Sequence, residues 1–247
     1  MKRIKLTGII IAKNEEENIA NSLPSLKFCN EIIVIDDYST DKTAEISRMF
    51  GARVYKRKLR NNFASQRNFA MSKAKNEWVF FLDADEIVSN ALAKRIQSIP
   101  PAGRAKGFLI KRTDVLWGKK MKHGEVGGFK ILRLGDKRAG VWKRKVHEEW
   151  RIIGKVEELK EEIFHYPHKT IKKFISDIGL RTLIHSGELK KEKKEANVVK
   201  VLVWPLGKFA VNYVFKLGFL DGVRGFILAV LMSFHSFLAW SEILLSK

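Results

Sequence analysis

The chain has 247 residues, 45% of them apolar, enough for one large α/β domain or one domain plus an appendage. Its single cysteine, Cys29, excludes an intramolecular disulfide and fits a reducing compartment. The formal charge of +20 concentrates in residues 101–200, where 26 − 13 gives +13, against 17 − 12 = +5 before and 4 − 2 = +2 after, and this excess implies an anionic partner: nucleic acid, anionic lipid or a phosphorylated substrate.

The N-terminal MKRIKLTGIIIAKNEEEN has a basic start and a short apolar run. The run carries glycine, breaks into KNEEEN and lacks a small-residue cleavage site, so it reads as a first strand, LTGIIIA (6–12), and not a signal peptide. Asn14 is positioned to cap a helix, with Glu15, Glu16 and Glu17 in its first turn and Glu17 closing a capping box. EIIVID (31–36) is the second strand. The helix STDKTAEISRMFGA follows, capped by Ser39 or Thr40 and ended by Gly51. RVYKR is a short third strand, FASQRNFAMSKAK a helix and WVFFLD (78–83) a fourth strand. This alternation predicts βαβ units and a parallel sheet. The glycine-rich dinucleotide and P-loop fingerprints are both absent.

Acids close two of these strands. Asp36 and Asp37 end the second, and Asp83 and Asp85 follow the fourth. In an open α/β sheet ligands bind beyond the carboxyl ends of the strands, so both pairs face one crevice. The D-x-D spacing points both carboxylates the same way in extended chain, and a turn then brings them to one cation. Hard oxygen ligands suit Mg²⁺ or Mn²⁺, which bind through few carboxylates plus substrate phosphates.

IIIAKNEEENI, EIIVIDDYSTDKT, FASQRNFAMSKA and WVFFLDADE stand in the order seen in family 2 glycosyltransferases, which the chain resembles from about residue 6 to its end. KNEE and QRN…DADE look most like the branch of lipopolysaccharide-core glucosyltransferases acting on heptose. The resemblance implies a GT-A fold, a Rossmann-like, mostly parallel sheet with helices on both faces. It also implies inverting, metal-dependent transfer from a nucleotide-sugar, with a UDP-sugar as donor. On it, Ala12, Asn14, Glu15 and Asp37 hold the nucleoside and Asp36 supports them. Asp83 lies near the ribose and metal, and Asp85 is the most direct metal ligand. Arg67 stands where the family often has arginine, and is read either as a contact to base or diphosphate or as a surface or sheet-packing residue.

GFLIKRTDVLWGK and GFKILRL read as further strands, followed by VWKRKVHEEW (141–150). In the resembling family a carboxylate in this segment is the catalytic base, and Glu148 is the choice, with Glu149 in reserve. The chain lacks the family's common ED pair before an arginine-rich turn. His165, in FHYPH, is a further metal-ligand candidate, since a histidine serves so in some GT-A enzymes. HSGELKKEKKEA (185–196) reads as a charged helix or linker. The apolar tail 198–247 has only 17 consecutive uncharged residues (225–241), and Pro205, Gly218, Gly222 and Gly225 interrupt it. These features predict helices lying in the membrane interface, with a span or a dimer interface as competing readings.

Three segments follow: 1–100 binds the nucleotide-sugar, 101–184 binds acceptor, and 185–247 is a basic linker with membrane-associating helices. The acceptor expected is a lipid-linked phosphorylated glycan, and the enzyme is peripheral at the cytoplasmic face of a bacterial inner membrane, beside anionic lipid. A polyprenyl-phosphate glycosyltransferase of the same superfamily is an alternative. A basic nucleic-acid- or membrane-binding protein without catalysis is another, but it leaves the acids idle, and strand-end acids repel nucleic-acid phosphate unless a metal intervenes.

Overall fold

The computed structural model of the protein describes residues 3–100, 103–145, 148–168, 170–191 and 194–246. The predicted alternation is present: β1 (Leu6–Ala12), α1 (Glu16–Ser22), β2 (Glu31–Asp36), α2 (Thr43–Met49), β3 (Arg53–Lys56), α3 (Phe63–Lys73) and β4 (Trp78–Asp83). Next come β5 (Glu86–Val88), α4 (Asn90–Gln97), β6 (Ala105–Leu116), β7 (Lys119–Lys120), β8 (Lys130–Asp136), β9 (Gly140–Lys143), β10 (Glu149–Ile152) and β11 (Lys155–His165). The tail holds α5 (Ile171–Lys191), α6 (Val198–Ala210) and α7 (Val223–Leu245).

Two compact units result, Met1–Arg112 with Lys130–His165, and Thr113–Phe129 with Tyr166–Lys247. The first unit is built on a sheet of order β3-β2-β1-β4-β8-β6-β11-β5. It is parallel over β3-β2-β1-β4, while β8 joins β4 antiparallel and β5 joins β11 antiparallel. Central strands covered on both faces read as continuous apolar runs. Their alternate residues part to opposite sides: Trp78, Phe80 and Leu82 enter one core with Ile10, Ile19 and Leu92, and Val79 and Phe81 enter another with Ile9 and Met71. In the second core Trp142 of β9 stacks on Trp150 of β10 at 5.4 Å, and both stand nearly perpendicular to the Phe81 ring. That packing seats the small β9–β10 sheet on the α3 side.

Two cap expectations are corrected. Asn14 does not cap α1; the N-cap is Glu15, without a side-chain cap bond. Asn14 adopts left-handed backbone (φ 54°), which Asn tolerates better than most residues. Its Oδ1 accepts from Thr40 N at 2.8 Å while its own N donates to Ser39 Oγ. Ser39 and Thr40 are thereby occupied, and the N-cap of α2 is Lys42.

The second unit also departs from expectation. Gly225 does not break the tail; α7 runs 23 residues without interruption. A Cβ at Gly225 would stand 2.0 Å from the Gly218 carbonyl oxygen, so this glycine permits close packing of the α6–α7 connection against the helix. Pro205 lies inside α6, and Ser233 Oγ donates to its carbonyl at 2.6 Å.

Candidate active site

Strand order brings the acids to one edge. β1 lies between β2 and β4, with Ala12 beside Asp36 and Ile11 beside Asp83. The two aspartates therefore flank β1 across two strand spacings, about 9.6 Å. Asp36 is fully buried; its Oδ1 accepts from Ser39 N at 3.1 Å, and its Oδ2 is buried without a partner among the described residues. Asp37 accepts from Leu59 N at 2.9 Å and pairs with Lys13 at 3.2 Å. Ala12 is buried, and its carbonyl accepts from Asp37 N. Glu15 donates its backbone N–H to Thr43 Oγ1 and accepts from Asn18 on its carboxylate. The loops after β1 and β2 are thus cross-linked by Asn14, Glu15 and their partners.

Asp83 does not face a cation site alone. Arg67 Nη2 donates to its Oδ1 at 3.1 Å, and Arg133 donates to Oδ1 at 3.2 Å and also to Oδ2. Burial raises the Asp83 carboxyl, but Arg133 and then Arg67 outweigh burial by charge and hydrogen bonding, and hold it well below the usual carboxylate range. Arg133 also donates to Glu86 Oε1 at 3.0 Å, and Glu86 is fully buried. Burial pushes Glu86 upward despite the Arg133 charge, and nearby Asp83 pushes it further.

Arg67 is 5% exposed, so it is not a surface residue. Its guanidinium lies 4.7 Å from the Trp142 ring centroid and 5.4 Å from that of Phe81. While Nη2 serves Asp83, its Nε donates to Glu148 Oε1 at 2.9 Å. One side chain therefore joins the acid at the end of β4 to a carboxylate 81 residues beyond Arg67 itself. Asn68, next on α3, fixes the opposing backbone by accepting from Trp142 N at 3.0 Å and donating to Trp142 O at 2.9 Å. Glu149 points elsewhere, pairing with Arg151 at 3.2 Å with its side chain 53% exposed.

Asp85 meets His165. The antiparallel pairing of β11 with β5 sets His165 opposite Glu86, and His165 Nε2 lies 3.3 Å from Asp85 Oδ2. No arginine or lysine pairs with Asp85 in the described structure, and its side chain is 30% exposed. Among the described residues no three His, Cys, Asp or Glu side chains converge on one metal position.

The site thus unites Asp83, Arg67 and Glu148, pairs Asp85 with His165, and leaves Glu149 apart. Arg133, Glu86, Asn68 and Trp142 escaped the sequence reading. A basic residue midway along an apolar strand, ILRLGD, is the one local signal for Arg133.

The model for Glycosyl transferase family 2 matches residues 7–149. A protein named uncharacterized glycosyltransferase RT0209 from Rickettsia typhi is 27% identical, over 97% of this chain and 86% of its own. The lipopolysaccharide core biosynthesis glycosyltransferase LpsC of Rhizobium meliloti is 25% identical, over 98% of this chain and 92% of its own. The crystal structure of S. aureus TarS 1–349 is 15% identical with a TM-score of 0.49, over 92% of this chain and 81% of that one.

Proposed function

The chain belongs to glycosyl transferase family 2, and from that membership we propose that it transfers a sugar with inversion from a UDP-sugar to a lipid-linked, phosphorylated glycan. The process is lipopolysaccharide-core or other cell-envelope polysaccharide synthesis, at the cytoplasmic face of a bacterial inner membrane. Similarity to LpsC along nearly the whole chain supports the acceptor class. Residues 1–100 serve the donor, 101–184 the acceptor and 185–247 the membrane surface.

The observation that carries the reading is the Arg67 bridge between Asp83 and Glu148, which ties a strand-end acid on the donor side to a carboxylate in the acceptor-side segment. The loop of Ala12, Asn14 and Glu15, with Asp37, holds the nucleoside. Asp36 supports it, its unpartnered buried Oδ2 being an atom that a ligand or water would satisfy. Asp83 lies at the ribose. Asp85 and His165, one oxygen and one nitrogen 3.3 Å apart, would hold Mg²⁺ or Mn²⁺ at the donor. When bound, the ion stabilises the charge that develops on the leaving diphosphate.

Glu148 accepts the proton of the acceptor hydroxyl. The hydroxyl oxygen forms its bond to the anomeric carbon as the bond from that carbon to the diphosphate oxygen breaks. The nucleoside diphosphate leaves with the electron pair. One displacement inverts the centre, so one carboxylate suffices and no sugar–enzyme bond forms. Arg67 orients that carboxylate through its Nε, with its guanidinium held over the Trp142 ring.

The test is a thermal-shift screen of nucleotide sugars with Mg²⁺ or Mn²⁺, where a specific donor stabilises with the logarithm of its concentration. Glu148→Gln should then lower turnover about a hundredfold while the donor-induced shift stays unchanged. Absence of any metal-dependent donor shift would overturn the reading.

A further inference from the structure

The tail carries more apolar surface than its own unit covers. The segments Val198–Phe215 and Val223–Leu245 are long and apolar enough to cross a bilayer, yet only 17% of the first and 28% of the most apolar 18-residue stretch of the second are buried. On α7 the exposed residues Phe226, Val230, Phe234 and Phe237 follow helical spacing along one stripe. The opposite stripe, with Leu228, Ala239 and Ile243, is buried, and so is Trp240 between the two. On α6, Val199, Leu202, Val203 and Leu206 form a second exposed stripe. Phe215, Phe219, Leu220 and Val223 expose the connection between the helices. Continuous apolar exposure of this extent marks a docking surface.

Two sets of contacts decide how a bilayer meets it. First, α5 accompanies α7. Phe174 and Ile178 share a core with Leu228, and Leu189, fifteen residues on, shares one with Trp240 and Ile243. That is about 22 Å of helix beside helix. The sequence of α5 holds seven charged residues in 21, and its Lys172 and Lys173 are exposed. Such charges are strongly disfavoured at the centre of a spanning helix. Second, the connection is tied to residues 117–126. Lys122 N and His123 N donate to Asp221 Oδ2, both at 2.9 Å, and Lys119 Nζ donates to Asp221 O at 2.8 Å. Gly124 N donates to Lys216 O, Arg224 Nε donates to Trp117 O, and Lys208 pairs with Glu125. A spanning hairpin would carry this connection, and with it Lys119, Lys120 and Lys122, across the hydrocarbon.

We infer that α6, α7 and their connection lie in the plane of a single leaflet of an anionic bilayer, with both ends of each helix on the same side. The inference deepens the membrane part of the proposed function and rests on it. Charge selects the occupant: residues 194–224 carry Lys194, Lys200, Lys208, Lys216 and Arg224 against Glu195 and the buried Asp221. Lys200 Nζ lies 5.7 Å from the Trp240 ring centroid, a cation and an aromatic ring at the edge of the apolar face. Apolar burial and basic attraction together supply the two signals that stable peripheral anchoring takes.

The test uses the full chain. Binding to phosphatidylcholine vesicles should be weak and should rise at least about tenfold with phosphatidylglycerol. The pair Leu206→Glu with Phe234→Glu, on the exposed stripes of the second unit, should reduce that binding about tenfold or more while the donor-induced thermal shift stays. In a Cys29→Ser background expressed in a Gram-negative host, Lys216→Cys and Ser246→Cys should both react with an impermeant maleimide in inverted membrane vesicles. Neither should react in intact spheroplasts, and alkaline carbonate should extract the protein. Labelling of Lys216→Cys only in spheroplasts overturns the in-plane arrangement and leaves the transfer reading standing. Vesicle binding unaffected by the two glutamates, or a dimer that loses itself on the same substitutions without binding lipid, overturns the lipid occupant. Loss of the donor shift with vesicle binding intact would instead remove glycosyl transfer and leave this inference in place.

Discussion

Replacing Arg133 with methionine removes the cation shared by Asp83 and Glu86 while keeping much of the side-chain volume. Asp83 retains Arg67 at 3.1 Å. Glu86 keeps the donated N–H of Asp83 at 2.9 Å and a more distant influence of His165, and it is fully buried. A buried carboxylate without its cation takes a proton instead of staying charged. Neutralising a glutamate of ordinary pKa about 4.3 at pH 7 costs about 1.36 × 2.7, or about 3.7 kcal/mol, and because burial already raises the wild-type Glu86 carboxyl this is the upper bound of the loss. The cost shrinks by about 1.4 kcal/mol per pH unit, to about 1 kcal/mol at pH 5. Wild-type Asp83 does not blur the comparison. Its carboxyl is held low, so its stabilisation is present above the unfolded pKa and is lost only as pH falls through the lower folded value. Urea unfolding followed by tryptophan fluorescence at pH 7 and pH 5 measures both losses. Adding Glu86→Gln should restore most of the stability at pH 7, because no acid then needs a proton. A loss under about 1 kcal/mol at pH 7, or the same loss at both pH values, would refute the argument.

Three further outcomes are expected. Asp85→Asn should abolish transfer and the metal-dependent part of the donor thermal shift while leaving the melting temperature of the unliganded protein unchanged; near-normal turnover with metal dependence would remove Asp85 from that role. Arg67→Lys should lower kcat roughly tenfold to a hundredfold, because one ammonium cannot serve Asp83 and Glu148 at once from its place over the Trp142 ring; turnover within about twofold of wild type would contradict the bridge. Burial raises the Cys29 thiol well above its ordinary value, so alkylation at pH 8 should be slow in the folded protein and fast in urea; labelling at the rate of free cysteine would contradict that.

Much of the donor half is legible without coordinates. The runs LTGIIIA, EIIVID and WVFFLD are each apolar on both faces, and only a covered parallel strand accommodates that, so order and spacing lead directly to β1, β2 and β4. Local rules fail where a side chain finds a distant partner. Asn14 matches a helix cap by position, but Ser39 and Thr40 from the neighbouring βα loop claim it. Gly225 matches a breaker by composition, but the Gly218 carbonyl needs the space that its missing side chain leaves.

The site divides in the same way. That Asp36 and Asp83 end strands, with Asp37 and Asp85 just beyond them, follows from the residues alone, because apolar runs stop where carboxylates begin and parallel strands present their carboxyl ends together. That Asp83 serves two arginines, that Arg67 reaches Glu148 and that Asp85 meets His165 does not follow, for these partners stand 16 to 81 residues apart. Their meeting depends on β8 returning antiparallel beside β4 and on β11 closing on β5. Composition likewise determined that the tail is apolar, and only the pinning of its connection by residues 117–126 and its alignment with charged α5 decided which face remains open. Periodicity and strand-end chemistry are carried by neighbours in the chain; charge pairing and close approach are carried by register, which only the folded sheet and packed helices set.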